Sequence, residues 1–134
     1  MMGFPLKDDL EKADEFFLGY FQSVIKNPET AAGWGNLKMV VGVKMSDLDL
    51  GYTISCFPEG ITMESGFPES PDAGITFTSD TFHDLFLGKT NPMMALAMGK
   101  LKTSGSNRNV LAVAGILPQN FQAYREYLES KGLN

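Results

Sequence analysis

The sequence predicts an α+β fold: a five-stranded, mainly antiparallel sheet with helices packed on one face. Three observations lead to this prediction. The chain begins with an amphipathic helical period, continues through four segments of alternating apolar residues, and then mixes short helical segments with a fifth alternating one. Because 134 residues are typical of one domain, we assign residues 1–134 to a single domain.

The first predicted element is a helix over residues 6–26. Apolar residues, among them Phe17, Phe21 and Val24, recur there at spacings of three and four. Pro28 marks the end of this helix, because the residue before a proline avoids the α conformation. The stretch PETAAGWG that follows predicts a short helical turn or a loop.

Four strands are predicted next, over residues 37–45, 50–57, 61–65 and 74–78. Their apolar and polar residues alternate, which indicates half-buried antiparallel strands with one face toward a core. Cys56 falls on an inward position, so we expect an inert core thiol there. Asp47 and Asp49 lie in the turn between the first two strands, and we expect both to be solvated.

Short helices surround the fifth predicted strand, which covers residues 100–104. Ser79 is the predicted N-cap of a helix over residues 80–87. Asn91 and Pro92 predict the start of a two-turn helix, PMMALAM, that is apolar on all sides. VLAVAGIL predicts a further helix, and Pro118 opens a last amphipathic one.

Charge is unevenly distributed along the chain. Residues 1–84 hold 14 acidic and five basic residues, whereas residues 85–134 hold two acidic and six basic ones. Residues 85–125 contain no acid at all, so the apolar segment around the methionines is also locally basic. This combination suits an amphiphile with an anionic head, although five bases scattered by chance would look the same. The net charge of −5 argues against a nucleic-acid partner.

No catalytic motif is present in the sequence. It contains neither G-x-S-x-G nor H-E-x-x-H. One cysteine and one histidine argue against a zinc site built by the protein, and we expect His83 at the surface or at the boundary of the core. We therefore predict that the protein is not an enzyme and needs no metal.

The predicted compartment is the cytoplasm. A single cysteine excludes an internal disulfide, which agrees with a reducing environment. No apolar run approaches the ~20 residues of a membrane-spanning helix. The first residues, MMGFPLKDDLEK, lack the basic and apolar regions of a secretory signal.

Two motifs stand at a defined spacing in the second half of the chain: GKTNP at residues 88–92 and GKLKTSG at residues 99–105. Together with the strand before them and the helices around them, residues 73–117 resemble the core of the sterol carrier protein lipid-transfer domain family. The resemblance implies a hydrophobic tunnel enclosed between the sheet and its helices. It also implies a fatty acid, fatty acyl-CoA or sterol-like ligand, with no cofactor and usually no chemistry.

The resemblance places apolar residues of the second half in the tunnel wall. The candidates are Phe77, Phe82, Leu85, Phe86, Met93, Met94, Ala97, Met98, Leu101, Leu111, Leu117 and Phe121. The methionines suit an irregular apolar cavity, but a fully packed core helix remains the alternative. The last helix, with Tyr124 and Leu128, is the candidate lid or else ordinary cover.

Four bases are candidates for the lipid head group: Lys89, Lys100, Lys102 and Arg108. Lys100 and Lys102 share one strand face, so they could equally be solvated on the outer face of the sheet. The predicted function is non-catalytic lipid binding and transfer inside the cell. The alternative is a dimerisation or accessory module, with a packed core and no ligand, for a lipid-metabolising enzyme. A homodimer and transient membrane contact stay open.

Overall fold

The computed structural model describes residues 3–133 and confirms the predicted fold class. Five strands form one mixed, mostly antiparallel sheet in the order β3-β2-β1-β4-β5, in which β1 and β4 are the parallel pair. In chain order the elements are α1 (Leu10–Lys26), α2 (Pro28–Gly35), β1 (Met39–Met45), β2 (Leu50–Phe57), β3 (Gly60–Ser65), β4 (Ala73–Phe77), α3 (Ser79–Phe86), α4 (Pro92–Ala97), β5 (Lys102–Gly105), α5 (Asn107–Gly115), a 3-10 turn (Leu117–Asn120) and α6 (Phe121–Ser130). No helix within residues 3–133 combines the length and the apolar character needed to cross a bilayer.

Side-chain caps set the helix boundaries at the start of the chain. Helix α1 begins four residues later than predicted, because the Asp9 carboxylate accepts a hydrogen bond from Lys12 N (3.1 Å) and caps it there. Asn27 ends α1 and caps α2 through its bond from Glu29 N (3.0 Å). With Pro28 at its first position, the stretch PETAAGWG is therefore a helix and not a loop.

Helix α3 begins at a different cap from the predicted one. Thr78 is the N-cap, and its hydroxyl accepts from Thr81 N (3.2 Å). Ser79 is instead the first helical residue and is buried, with its N–H and hydroxyl donating to Asp47 at 2.8 Å and 2.7 Å. Asp47 is exposed, as expected, and its carboxylate also ties the β1–β2 turn to the start of α3.

The inward face of the sheet packs on an aromatic core. The odd residues of β1 and the even residues of β2, including Met45, Tyr52 and Ile54, are buried beneath α1 and α3 as the alternation predicts. Phe17 of α1 and Phe82 of α3 meet edge to face, with ring centroids 5.1 Å apart. These rings form the centre of the apolar core.

The end of β5 depends on a glycine. Gly105 pairs with Ala73 and has a φ of +85°, and a Cβ there would collide with the carbonyl oxygen of Asp72. Gly132 has a φ of +69° but open space around it. Alanine substitutions at these two positions therefore separate the cost of the positive φ from the cost of the steric clash.

We expect Gly105→Ala to lower the free energy of unfolding by about 3 kcal/mol, the positive φ costing about 1–2 kcal/mol and the clash adding to it. Urea unfolding followed by circular dichroism measures this change. Gly132→Ala is the matched control and keeps only the strain. Equal losses for the two variants would show that the strand end moves aside for the methyl group.

His83 is buried, whereas the sequence placed it at the surface or at the boundary of the core. Only 6% of the residue is exposed, and its Nδ1 lies 2.7 Å from the hydroxyl of Tyr124. Burial lowers the pKa of His83 below its usual value of 6.5, although Asp84 acts in the opposite direction. Folding therefore disfavours the protonated imidazole.

Stability is expected to fall as the pH drops from about 6.5 through the lowered pKa of His83, because only the unfolded chain takes up the proton there. Urea unfolding at a series of pH values between 8 and about 5 tests this, above the usual carboxylate pKa values. His83→Gln cannot titrate and should flatten the profile. The same pH dependence in both proteins would assign the effect to another group.

Candidate functional site

An apolar cavity lies between the sheet and the helices of the second half of the chain. The space that the centre of a water-sized sphere can reach inside it is about 60 Å³. Its wall comes from Trp34, Val43, Ile75, Phe77, Leu85, Phe86, Pro92, Met93, Leu96, Leu101, Thr103, Val110, Leu111, Val113, Ala114 and Leu117. Thr103 is the one hydroxyl-bearing residue of this wall, so the cavity offers a ligand mainly apolar contact.

The sheet supplies the floor of the cavity. Ile75 of β4 is in register with Val43 of β1 on one side and with Thr103 of β5 on the other. Paired residues of neighbouring strands point to the same face, so all three face the helices. Trp34, from α2, closes one end, and its indole N–H donates to Asn120 at 3.3 Å.

Helix α4 covers the cavity on one side and is exposed on the others. Asn91 caps it by accepting from Met93 N (2.8 Å), and Gly99, with a φ of +76°, follows its end. Pro92, Met93 and Leu96 reach the cavity, but Ala95 is its one buried residue. An all-apolar helix predicts burial; here the remaining apolar side chains face solvent.

Seven of the twelve candidate tunnel residues line the cavity: Phe77, Leu85, Phe86, Met93, Leu101, Leu111 and Leu117. Phe82 is fully buried in the aromatic core instead, while Met94 and Ala97 lie exposed on α4 and Met98 lies exposed at its C-cap. Phe121 is partly buried and would contact a Cβ placed on Gly88. The candidate lid residues Tyr124 and Leu128 are buried core residues and are not part of the wall.

Sequence reasoning missed nine residues of the wall. Val43 and Ile75 occupy inward positions of predicted strands, and Leu96, Val113 and Ala114 lie three or four residues from residues that were chosen. Periodicity could have found these. Trp34 carried no local signal, because its segment was predicted only as a turn or loop.

The four candidate head-group bases are exposed and lie outside the cavity wall. Lys102 pairs with Thr76 on the outer face of the sheet, and Lys100 and Lys102 line a shallow groove there with Ser46, Thr78 and Thr81. This arrangement agrees with the outer-face alternative for these two lysines. Lys89 precedes α4, and Arg108 lies in the first turn of α5.

The cavity holds no set of groups for acid–base or nucleophilic chemistry. Burial raises the pKa of Cys56 to about 12, and this thiol lies outside the wall. Within residues 3–133 no cluster of histidine, cysteine and carboxylate side chains could hold a metal ion. What the geometry offers is an apolar compartment with bases outside it.

Comparison with known proteins agrees with this geometry. The model of the SCP-2 sterol transfer family matches residues 20–118. The chain belongs to this family. A comparison with curated proteins finds no match.

Solved structures with the same fold include other SCP-2 domains. Sterol carrier protein 2 from Yarrowia lipolytica, in its apo form, is 18% identical with a TM-score of 0.61, covering 81% of this chain and 91% of that one. The sterol carrier protein domain 2 of Helicoverpa armigera is 18% identical with a TM-score of 0.59, covering 90% and 91%. At these identities the likeness shows the fold.

Part of a larger enzyme also has this fold. The inverting sec-alkylsulfatase Pisa1 from Pseudomonas sp. is 15% identical with a TM-score of 0.56, covering 64% of this SCP-2 chain. This SCP-2 chain spans 14% of the alkylsulfatase. The fold therefore occurs as a small protein and as a segment of a much longer chain.

Proposed function

We propose that this protein binds a lipid with one apolar body, such as a fatty acid, a fatty acyl-CoA or a sterol-like molecule, and carries it through the cytoplasm unchanged. The observation that supports this most is the apolar cavity, whose wall offers contact and almost no polar groups. Membership of the SCP-2 sterol transfer family supports the same reading.

In this proposal the binding affinity comes from burial of the lipid's hydrocarbon chain. Each buried methylene contributes about 0.8 kcal/mol, so a long chain binds well without oriented hydrogen bonds. We therefore expect low selectivity among lipids whose hydrocarbon chains have similar lengths. The exposed bases Lys89 and Arg108 are the proposed partners of a carboxylate or of CoA phosphates.

A ligand has to widen the cavity, because 60 Å³ is below the roughly 150 Å³ that holds a benzene-sized molecule. Helix α4 is the proposed mobile element, since it is only six residues long and Ala95 is its one buried residue. Its displacement together with Leu111 would open the cavity toward solvent. The proposed entrance is therefore at α4 and not at α6.

Trp34 is the single tryptophan of the chain and lines the cavity, so it reports directly on occupancy. Bromine quenches indole fluorescence on contact, and we expect a brominated stearic acid to quench Trp34 saturably. Unlabelled oleic acid should reverse the quenching by competition. An absence of saturable quenching in the native protein would exclude the proposed site.

Filling the cavity should block this binding. Ala114 lies in the wall, and Ala114→Phe places a ring in the space that the ligand needs. We expect the dissociation constant from the quenching titration to rise at least about tenfold, equivalent to the loss of two buried methylenes. Ala32→Phe, on the exposed face of α2, is the matched control. Equal affinities in the two variants would place the lipid elsewhere.

The second candidate function is the interaction module. The small cavity and the exposed apolar side chains of α4 favour it. Mass spectrometry of the purified protein, native and after organic extraction, separates the two candidates. A released lipid in equal molar amount supports the carrier, whereas a lipid-free protein that also fails to quench supports the module.

A further inference from the structure

Exposed apolar side chains concentrate at one place on the molecule. Within residues 3–133, five of the eight exposed large hydrophobic residues belong to α4, to its C-cap Met98 or to α5. We call these residues, Met93, Met94, Leu96, Met98 and Leu111, the methionine patch. Met98 is 64% exposed and Met94 61%. Because Met93, Leu96 and Leu111 also line the same cavity, the patch is continuous across the two helices.

Two bases flank the methionine patch. Lys89 lies before the first turn of α4, and Arg108 stands in the first turn of α5. These bases take part in neither ion pair found within residues 3–133, Lys7–Asp80 and Lys44–Asp49.

The acid that approaches α5 is turned away from the patch. Asp72 contacts Asn109 through its main-chain carbonyl oxygen, and its carboxylate accepts from Val40 N at 2.8 Å. Asp84 lies beside Lys89, whose N–H donates to the Asp84 carbonyl oxygen at 2.9 Å, but the two side chains form no ion pair. The patch is therefore flanked by bases that no carboxylate of the described residues pairs, on a chain whose net charge is −5.

We propose that the methionine patch docks on the surface of a bilayer that contains anionic lipids. Its flexible methionine side chains suit the disordered boundary between head groups and acyl chains. Lys89 and Arg108 would then lie at the level of the anionic head groups.

Charge argues against a second copy of the chain as the occupant. A two-fold dimer through this patch would bring together two identical sets of bases, with no acid between residues 85 and 125 to neutralise them. A bilayer supplies negative charge and apolar depth together. It also covers a small convex helix without needing a complementary pocket.

Docking at this place would bring the cavity to the membrane. Met93, Leu96 and Leu111 form the outer patch and the cavity wall at once, so a small movement of α4 in the bilayer would join the cavity to the acyl region. This entry route rests on the proposed lipid binding; docking itself does not.

Vesicle flotation tests the docking. The native protein should float with vesicles of phosphatidylcholine and phosphatidylglycerol, and far less with phosphatidylcholine alone. Lys89→Gln with Arg108→Gln should weaken the partition about 30-fold, as expected for two bases near an anionic surface. Lys12→Gln with Lys26→Gln removes the same charge from exposed positions of α1 and should leave binding nearly unchanged. Equal effects of the two pairs would overturn the proposal.

The apolar contribution is tested with side chains that do not line the cavity. Met94→Ser with Met98→Ser should reduce flotation at least about tenfold. Leu10→Ser with Phe57→Ser, two exposed residues elsewhere, should not. Unchanged flotation of the methionine variant would overturn the proposal, as would a native dimer that this variant dissociates.

The quenching of Trp34 by brominated fatty acid distinguishes the two proposals. It should be unchanged in the Met94→Ser, Met98→Ser variant, because neither side chain lines the cavity. Flotation without quenching would support membrane docking by the methionine patch and contradict lipid binding in the cavity. Quenching without flotation would support lipid binding and contradict membrane docking.

Discussion

Replacement of Asn120 by alanine is expected to lower the free energy of unfolding by about 3 kcal/mol. The Asn120 side chain is fully buried, and its Oδ1 accepts from the Tyr20 hydroxyl at 3.1 Å and from Trp34 Nε1 at 3.3 Å. Its Nδ2 donates to the carbonyl of Ile116 at 3.0 Å. Alanine would leave two buried donors without a partner, at about 1–3 kcal/mol each.

Urea unfolding of the purified variant measures this loss. Gln119→Ala, the neighbouring residue in the same 3-10 turn, is exposed and should cost less than about 0.5 kcal/mol. The indole N–H of Trp34 would also lose its hydrogen bond to Asn120. The affinity for brominated fatty acid should therefore fall in Asn120→Ala and not in Gln119→Ala. A stability within about 0.5 kcal/mol of the control would mean that water replaces the amide.

The sheet was predictable because alternation in sequence follows directly from the two faces of a strand. The observed bounds of β2, Leu50–Phe57, are the predicted ones, and its inward residues Tyr52, Ile54 and Cys56 are buried as expected. The same period places Lys102 on the outer face beside Thr76, which was one of the two alternatives.

Helix starts were less predictable because neighbouring residues compete as caps. Thr78 and Ser79 are both good N-caps. The choice between them depends on Asp47, which is distant in sequence and binds the Ser79 hydroxyl. Asp9 likewise caps α1 at a point inside the predicted amphipathic period. Such outcomes depend on tertiary contacts that a local pattern does not contain.

The cavity wall was predictable in part. Alternation fixes the face of Phe77 in β4, and the same alternation extends to Leu101 just before β5; both residues line the cavity. A helix that is apolar on all sides contains no such information, so Met93 and Met94 could not be told apart by sequence. Trp34 reaches the wall because α2 packs beside the 3-10 turn through Asn120, a contact between residues far apart in the chain.

Phe82 and Leu111 were both placed in the tunnel by resemblance, and the structure separates them. Phe82 stacks on Phe86 with ring centroids 4.2 Å apart and is fully buried. Leu111 is 50% exposed and lines the cavity. Phe82 belongs to the core and Leu111 to the proposed entrance. Substitution of Phe82 should therefore lower stability, whereas substitution of Leu111 should weaken lipid binding.

We expect Phe82→Ala to lower the free energy of unfolding by about 4 kcal/mol, because the lost ring leaves a cavity among packed aromatic groups. Leu111→Ala should cost about 1 kcal/mol, since half of the residue is already exposed to water. Urea unfolding of both variants measures the difference. A loss below about 2 kcal/mol for Phe82→Ala would mean that its surroundings collapse to fill the space.

The binding titrations should show the opposite order. Phe82→Leu keeps most of the core volume and should bind brominated fatty acid like the native protein, because Phe82 lies outside the wall. Leu111→Ser should bind several-fold more weakly, since it replaces an apolar contact at the entrance with a hydroxyl. If Phe82→Leu stayed stable and lost affinity, the bound lipid would extend through the ring stack into the core, and the ligand-bound cavity would then be deeper than the space enclosed here.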